Sequence, residues 1–403
     1  MWHYAFSIIL IFCTLISFSQ KKNGPWNYYN TPAKIDSIYT PMQKADLRRG
    51  FDYAAEDYAL VGLYKKTLTL DNQYYSEKDK TLDSAYYEEV GKIIEHRPAA
   101  DLMNFVGKNQ IVIFNELHTY PQHRVFTADY LEDLKQKGFN YIGFEGLTDD
   151  DISIENINRR NFPELYSGPY IDEPQYANLI RTAKNLGYTV FAYEYCGLGQ
   201  KREIGQAKNI NKILEKDPDA KIVLHVGSGH IREDSSEYGL LMAAHLKRMS
   251  GIDPLTINQC KLNEQSSARF EHELYNKLIV MDTVVYYVFL KNGKPINDGL
   301  TDICVFPPRT EYIEGRPSWL YYNKRYNHIR VKNKLISTGG EGFLVFAYLK
   351  DELSKVNDAL PVDIVWVENP EIEEILLLLP FNGTYTIVFE SSRKTEFSEI
   401  IVP

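Results

Sequence analysis

The feature that most constrains this chain is a regular alternation of short apolar runs and amphipathic segments in its middle third. The runs IVIF, YIGF and KIVLHV are continuous, as expected of strands that are covered on both faces. Between the first two, Val125, Tyr130, Leu131 and Leu134 form a helical stripe. Strand and helix alternating in this way require parallel pairing with right-handed crossovers. The sequence therefore predicts an α/β domain over residues 108–265, with a parallel sheet flanked by helices.

The segments on either side of this domain have different patterns. Residues 20–107 contain a polar leader followed by helical spacing, and they predict a helical N-terminal preface that packs on the next domain. Residues 274–403 contain short apolar or alternating runs, such as TYTIVFE, separated by polar, glycine and proline turns. This pattern predicts a β-rich C-terminal domain that resembles a β-sandwich.

The N-terminus predicts a signal peptide over residues 1–19. The apolar run that begins at Ala5 is shorter than the roughly 20 residues needed to span a bilayer. Ser17 and Ser19 have the small side chains and the spacing of a cleavage site, which places the cut before Gln20. Since no other long apolar run occurs, we expect an exported protein, periplasmic or extracellular, without a transmembrane segment.

Charge and cysteine content exclude two classes of protein. The formal net charge is −9 and no basic block occurs, which argues against a nucleic-acid partner. Beyond the signal peptide the cysteines are Cys196, Cys260 and Cys304, without metal-type spacing. A disulfide-built scaffold is therefore excluded, and a single disulfide could join any two of the three.

Ionisable side chains follow four of the predicted strands. They are Glu116 and His118 after IVIF, Glu145 after YIGF, Glu194 at the end of TVFAYEY, and His230 after KIVLHV. Open α/β sheets bind ligands at the carboxyl ends of their strands, so we expect these side chains to share one site. We predict a functional role for His118 and His230 in particular, because each lies in a turn directly after a strand.

Three other histidines of this domain have different surroundings. His225 lies inside the strand KIVLHV and is interpreted as a neutral, hydrogen-bonded core histidine. His245 lies in the middle of a predicted helix and is interpreted as structural or exposed. His123 opens a helix, and a role in shaping the pocket is as consistent with its position as a packing role.

Five motifs give residues 108–262 a resemblance to the erythromycin esterase-like, TraB-like and ChaN-like superfamily. In order, they are NELH at 115–118, FEG at 144–146, AYE at 192–194, REIGQAKNI at 202–210 and GSGH at 227–230. The resemblance places the family's Gly-x-x-His motif on Gly227 to His230, and its Arg-acid pair on Arg202 and Glu203. Asn115 stands where the family's Gly-Glu-x-His motif has glycine. Because asparagine tolerates a left-handed backbone better than most residues, we expect the turn to survive.

The resemblance implies three kinds of activity. In the esterase type, His118 is the general base, Glu116 or Glu145 orients it, and Arg202 stabilises the oxyanion. In the metal-dependent peptidase type, a divalent metal activates water, and its ligands would come from His118, His230, Glu116 and Glu145. In the haem-binding type, haem is the cofactor.

We therefore expect an exported hydrolase that acts on an ester or amide bond in a small-molecule or peptide substrate, through His-activated or metal-activated water. The predicted site residues are Glu116, His118, Glu145, Glu194, Arg202 and His230. The alternatives are a haem or iron-ligand binding protein that uses the same pocket, and a catalytically inactive binding scaffold. Since tyrosine is abundant, with 30 residues, the C-terminal domain is a candidate for contact with a partner or a glycan.

Overall fold

A computed structural model of the chain describes residues 24–70, 95–98, 101–147, 151–236, 239–278, 286–335 and 342–403. The predicted signal peptide and most of residues 71–100, which fall in the predicted helical preface, lie outside these ranges. Within them, no helix has both the length and the apolar character needed to cross a membrane.

The preface consists of a 3-10 turn, Pro25–Tyr28, and three helices, α1 (Pro32–Lys44), α2 (Arg48–Leu60) and α3 (Tyr64–Leu70). The stretch that the sequence predicts as a leader or loop therefore contains α1. Thr31 accepts a hydrogen bond from the Lys34 N–H, and Pro32 occupies the first turn, so both helix-start signals are present.

Most strands of the chain's first three quarters belong to a single sheet. They are β1 (Glu95–Pro98), β2 (Ile111–Glu116), β3 (Tyr141–Phe144), β4 (Thr189–Ala192), β5 (Ile222–Gly227), β6 (Ser235–Ser236), β7 (Gly239–Leu240), β8 (Leu255–Asn258), β9 (Tyr287–Lys291), β10 (Lys294–Pro295) and β11 (Ile303–Phe306). Apart from β6 and β7, which pair with each other, they form a nine-stranded sheet of order β1-β9-β11-β8-β2-β5-β3-β4, with β10 paired to β9. Pairing is parallel from β11 to β4 and antiparallel around β9.

Helices cover both faces of this sheet. The helices of this part of the chain are α4 (Leu102–Val106), α5 (Gln122–Gln136), α6 (Asp151–Arg160), α7 (Pro174–Asn185), α8 (Gln200–Lys216), α9 (Met242–Ser250) and α10 (Glu273–Leu278). On one face Leu131 of α5 and Leu179 of α7 pack against the sheet, and on the other Ile210 of α8 and Leu246 of α9 do so. The predicted α/β fold, a parallel sheet flanked by helices, is confirmed.

Two segments of the sheet differ from the sequence expectation. Residues 287–306, expected at the start of the C-terminal β-rich domain, pair with the central sheet, where β11 lies parallel to β8. Without a neighbouring strand, the backbone N–H and C=O groups along the outer edge of β8 would lack hydrogen-bond partners. β11 supplies those partners. Residues 95–98, expected within the helical preface, form the edge strand β1 against β9.

The C-terminal region is a sandwich of antiparallel sheets. Its elements are β12 (Tyr312–Ile313), β13 (Arg316–Pro317), α11 (Ser318–Tyr321), β14 (Asn327–Lys332), β15 (Phe343–Leu349), α12 (Lys350–Lys355), β16 (Asp363–Val367), β17 (Glu374–Leu379), β18 (Gly383–Glu390) and β19 (Thr395–Val402). The sheet β16-β15-β18-β19 faces the pair β14-β17 across a shared apolar core that contains Phe343 and Leu377. This agrees with the predicted sandwich-like region.

The preface packs mainly on the C-terminal sheet. Ile35 of α1 and Tyr58 of α2 share an apolar cluster with Phe346 of β15. The preface also reaches the α/β domain, where the Tyr28 hydroxyl donates to the Asp172 carboxylate at 2.6 Å. All three regions of the chain therefore meet near the loop that leads into α7.

Candidate active site

The six predicted site residues lie at the carboxyl edge of the parallel strands, in two groups. Glu116 is the last residue of β2, and Glu145 directly follows β3, while β5 lies between these strands. We define the Glu116 cluster as Glu116, His118, Arg124 and His225. We define the Glu145 cluster as Glu145, Glu194, Arg202, Glu203 and His230. The two clusters are close enough to interact: the charged form of His118 lowers the pKa of Glu145.

The Glu116 carboxylate is the centre of the first cluster. It accepts from Arg124 Nε at 2.7 Å and Arg124 Nη2 at 3.0 Å, and it contacts His118 Nδ1 and His225 Nε2 at 2.8 Å each. Burial opposes ionisation of this side chain, but the charges of Arg124 and His225 prevail and hold the pKa of Glu116 well below its usual range. Glu116 is therefore a fixed carboxylate.

Hydrogen bonding sets the tautomer of His118. Because the Glu116 carboxylate can only accept, His118 Nδ1 carries a proton, and in the neutral ring the lone pair is on Nε2. Among the described residues Nε2 has no hydrogen-bond partner, and 24% of the side chain is exposed. Arg124 Nη2 also donates to the His118 carbonyl at 2.9 Å, which fixes the backbone of the turn. His118 is thus an oriented base with one nitrogen open.

Arg124 lies on α5 and connects the first cluster to α7. Its Nη1 donates to Glu173 at 2.8 Å, and its guanidinium lies 4.7 Å from the centre of the Tyr176 ring. Arg124 and Glu173 were not predicted from the sequence. A signal for Arg124 was present, since it lies four and seven residues before Ala128 and Leu131 on the buried face of the helix.

Arg202 is the centre of the second cluster. It binds Glu194 through Nε at 2.9 Å and Nη2 at 2.6 Å, and Nη2 also donates to Glu145 at 2.8 Å. Its Nη1 lies 2.7 Å from His230 Nε2. Four of the five guanidinium N–H groups therefore have partners among the described residues, and one N–H on Nη1 is left for a ligand.

His230 is held between Arg202 and Glu203. Since a guanidinium only donates, the short Arg202 contact uses the Nε2 lone pair, and Nδ1–H donates to Glu203 at 2.8 Å. Burial disfavours the imidazolium, but Glu145 and Glu203 prevail and raise the pKa of His230. The two carboxylates favour a protonated His230, whereas the Arg202 contact requires an unprotonated Nε2. At 2.7 Å the Arg202 contact is much shorter than the 3.4 Å between Nε2 and the nearest Glu145 oxygen, so Nε2 accepts from Arg202. His230 therefore positions Arg202 and is not an open base.

Glu145 is held by Arg202 and by the backbone of the β5 turn. The Gly227 N–H donates to Glu145 Oε2, and a Cβ atom on Gly227 would lie 2.9 Å from that oxygen. The glycine of the Gly-x-x-His motif is thus needed for close approach of a carboxylate. Burial opposes ionisation of Glu145, but His230 and Arg202 prevail and lower its pKa to about 2.

The side chains named for a metal site, His118, His230, Glu116 and Glu145, do not fit that role as they are arranged. Within the described ranges, no group of three or more histidine, cysteine or carboxylate side chains could hold a metal ion. Glu116 is engaged by Arg124 and two imidazoles, and the Arg202 cation contacts both Glu145 and His230. A fixed guanidinium beside these ligands would repel a divalent cation.

The other histidines are part of the scaffold to different degrees. His225 is buried and hydrogen-bonded as predicted, but its partner is the site carboxylate Glu116, which the sequence did not indicate. His123 is buried, its Nδ1 accepts from the Leu117 N–H at 3.1 Å, and burial lowers its pKa to about 3. His123 therefore supports the turn as a neutral ring. His245 is half-buried in α9 and contacts Gln200 at 3.1 Å.

Asn115 does not adopt the left-handed backbone expected of it. It lies inside β2 and is not among the described residues with positive φ. Its buried side chain donates to the Asn258 side chain at 3.1 Å and accepts from the Gln259 N–H at 2.7 Å. Asparagine at this position therefore joins β2 to the end of β8. Cys196, Cys260 and Cys304 are all free thiols.

Two cavities border the α/β domain at different places. The larger, about 650 Å³, lies between the ends of α6 and α7 and the C-terminal sheet, and none of the site residues lines it. The smaller adjoins Thr119 and Tyr120, directly after His118, and its roughly 20 Å³ holds little more than a water molecule. The arrangement of ionisable side chains, and not cavity size, therefore marks the candidate site.

No protein-family model matches the sequence, and no characterised protein is significantly similar to it. Among solved structures, the chain is similar to the type III effector HopBA1, with 14% identity over 41% of this chain and 87% of that chain, and a TM-score of 0.29. It is also similar to RRSP, a MARTX toxin effector domain from Vibrio vulnificus CMCP6, with 14% identity over 54% of this chain and 48% of that chain, and a TM-score of 0.30. Similarity at this level defines neither a fold nor a function for this chain.

Proposed function

We propose that this protein is a hydrolase that uses His118 as the general base to activate water for attack on an ester or amide. The observation that carries the proposal is the Glu116–His118 pair, in which a buried carboxylate 2.8 Å from Nδ1 leaves Nε2 open. Carboxylate–imidazole pairs of this kind orient the ring and stabilise the imidazolium that forms when it takes a proton.

The site residues divide the reaction between them. His118 Nε2 removes a proton from water, and the water oxygen attacks the carbonyl carbon. Glu116 stabilises the imidazolium without moving, because Arg124 and His225 also hold it. The remaining N–H of Arg202 is available for the oxygen on which negative charge develops.

The charge of the Glu145 cluster favours a neutral or cationic substrate. Three carboxylates, those of Glu145, Glu194 and Glu203, surround the single guanidinium of Arg202. An anionic substrate would meet this excess of negative charge in a partly buried site, where charges are weakly screened. We therefore propose uncharged esters, lactones or amides in small molecules or peptides as the substrate class.

Direct activation of water by His118 is favoured over the cofactor alternatives. The arrangement of Arg202 beside Glu145 and His230 does not suit a metal. A haem needs a wide apolar slot next to its ligand, whereas His118 lies beside the charged Glu116 and Glu145 carboxylates. Export and the superfamily relationship remain part of the proposal, resting on the N-terminal pattern and the five motifs respectively.

The test is a hydrolysis assay of the purified protein on p-nitrophenyl acetate, a neutral lactone and a neutral peptide amide, with and without EDTA. We expect turnover of at least one probe that EDTA leaves unchanged and that His118→Ala reduces about 10²–10⁴-fold. His245→Ala serves as the matched histidine control and should retain activity. Turnover that survives His118→Ala would overturn the proposal, and turnover lost to EDTA and restored by a divalent metal would replace it with the metal alternative.

A further inference from the structure

Tyr170 lies directly on the candidate base. The tyrosine and His118 rings are stacked, with centroids 3.9 Å apart and planes inclined by 11°. Tyr170 is half-buried, and no hydrogen bond among the described residues involves its hydroxyl. The stack therefore combines two unpaired polar groups, the phenol O–H and the open Nε2 of His118.

The segment that carries Tyr170 is held in an unfavourable backbone conformation. Tyr170 has φ of 66°, in the left-handed region that a bulky side chain rarely adopts. Tyr166, four residues earlier, has φ of 68°. Between them, Gly168 approaches the chain so closely that a Cβ atom would lie 1.7 Å from the Gly146 carbonyl oxygen. The turn after Glu145 thus fixes this segment, and strain retained beside a candidate base indicates a functional constraint.

The phenol lies within the electrostatic range of both clusters and of the preface. Burial is the largest influence on Tyr170, and the carboxylates of Glu56, Glu145 and Glu116 add to it, so the pKa lies well above its usual value. The group is therefore a neutral O–H at physiological pH. Surrounded by carboxylates, such a phenol acts as a hydrogen-bond donor.

From this juxtaposition we propose that Tyr170 is a catalytic residue whose phenol O–H donates a hydrogen bond to the substrate carbonyl oxygen during attack by water. The inference rests on the hydrolase function proposed above. A new bond forms between the water oxygen and the carbonyl carbon, and the π electrons of the carbonyl move to its oxygen. The water proton passes to His118 Nε2. On collapse, the leaving group departs with its bonding electrons and takes that proton, while Tyr170 keeps its own.

A neutral donor suits this site better than another cation. The guanidinium of Arg202 is largely committed to Glu145, Glu194 and His230, and has one N–H to offer. A phenol can stabilise developing negative charge without a counterion of its own and without adding net charge to the cluster. Stacking also restrains the His118 ring, so one side chain both positions the base and binds the oxyanion.

Tyr170→Phe is the decisive variant, because it keeps the ring and removes only the O–H. We expect kcat on the hydrolysed probe to fall about 10²–10³-fold while KM changes less than threefold, as for loss of an oxyanion-hole donor. Tyr166→Phe is the matched control, since Tyr166 shares the segment and the left-handed backbone but is 70% exposed. It should retain full kcat. Circular dichroism and thermal melting should show both variants folded.

A binding measurement provides a second readout that does not depend on turnover. 1,1,1-Trifluoroacetone is a neutral ketone whose hydrate resembles the tetrahedral intermediate, and its binding can be followed by ¹⁹F NMR. We expect binding to wild type that Tyr170→Phe weakens at least tenfold and Tyr166→Phe leaves unchanged.

The outcomes separate the two proposals. If His118→Ala abolishes turnover but Tyr170→Phe keeps kcat within threefold of wild type, Tyr170 is a packing residue and only this inference fails. If turnover survives His118→Ala, the hydrolase mechanism itself fails. A wild-type protein that neither hydrolyses the probes nor binds the ketone overturns both.

Discussion

The Glu116 and Glu145 clusters contain the same kinds of residue in different surroundings. Each joins glutamate, arginine and histidine at the end of a parallel strand. In the first, the side chains of Glu116 and Arg124 are each 1% exposed. In the second, Arg202 is 15% exposed and Glu194 is 25% exposed. The Glu116–Arg124 ion pair is therefore sealed from solvent, whereas the Arg202–Glu194 ion pair is partly exposed.

This difference indicates a division of labour. A sealed network cannot exchange partners without leaving a charge unpaired, so the Glu116 cluster is suited to hold His118 in one orientation and tautomer. The Glu145 cluster can exchange partners with water or substrate, and Arg202 still has an N–H to offer. In the proposed mechanism, the buried cluster orients the base and the accessible cluster stabilises charge on the substrate.

Replacing the two arginines separately should give the largest contrast between the clusters. Arg124→Ala leaves Glu116 and Glu173 buried without their guanidinium, and we expect a loss of about 3–5 kcal/mol in the free energy of unfolding. Arg202→Ala exposes its partners to water, so we expect a loss of about 1–2 kcal/mol. Urea denaturation of both variants at neutral pH measures the difference.

Turnover of the same two variants should show the opposite order of effects. Arg202→Ala should lose turnover with little loss of stability, whereas Arg124→Ala should lose mainly stability. Equal losses of stability in the two variants would show that burial does not distinguish the clusters.

The strand ends of the site were predictable from sequence, because alternating strands and helices place successive carboxyl ends at one edge of a sheet. Glu116, Glu145, Glu194 and His230 follow from that rule. His225 was predictable as a buried residue but not as a partner of Glu116, since the register between β2 and β5 decides which side chains meet. Tyr170 carried no sequence signal, because its position depends on a loop conformation.

Asn115 shows how a motif can mislead about local structure. The family pattern indicated a glycine-like turn, whereas the chain continues as strand β2 to Glu116. The amide side chain makes contacts that glycine could not make, with Asn258 and with the Gln259 backbone. These contacts involve residues more than 140 positions away. Local sequence carries no information about such partners.

Two glycines of the β5 turn test the second cluster at a smaller scale. Gly227→Ala would place a methyl group 2.9 Å from Glu145 Oε2 and force the carboxylate away from the Gly227 N–H. We expect a loss of about 1–3 kcal/mol in the free energy of unfolding, together with reduced turnover.

Gly229→Ala is the matched control, because no atom lies within 4 Å of the added methyl group. Its unfolding free energy should stay within about 0.5 kcal/mol of wild type. A similar response of both variants in urea denaturation would refute the proposed role of close approach at Gly227.

Glu56 of α2 gives the smallest effect and tests whether the preface is coupled to the first cluster. Burial raises the pKa of Glu56 to about 7, although the charge of His118 opposes this. With an unfolded pKa of about 4.3, the folded protein binds this proton more tightly, so stability should fall as pH rises from about 4.5 through 7. Glu56→Gln cannot ionise and should lack this loss.

We therefore expect Glu56→Gln to be more stable than wild type by about 1–2 kcal/mol at pH 8, and close to wild type at pH 4.5, in urea denaturation. Because the Glu56 side chain is only half-buried, the gain in stability should be smaller than the whole pKa shift would give. Coupling to the first cluster adds a second expectation. His118→Gln removes the imidazole whose protonated form opposes the rise in the pKa of Glu56, so the Glu56-dependent transition should move to higher pH. If that transition does not move, the preface acid does not interact with the base, and the Glu116 cluster works without it.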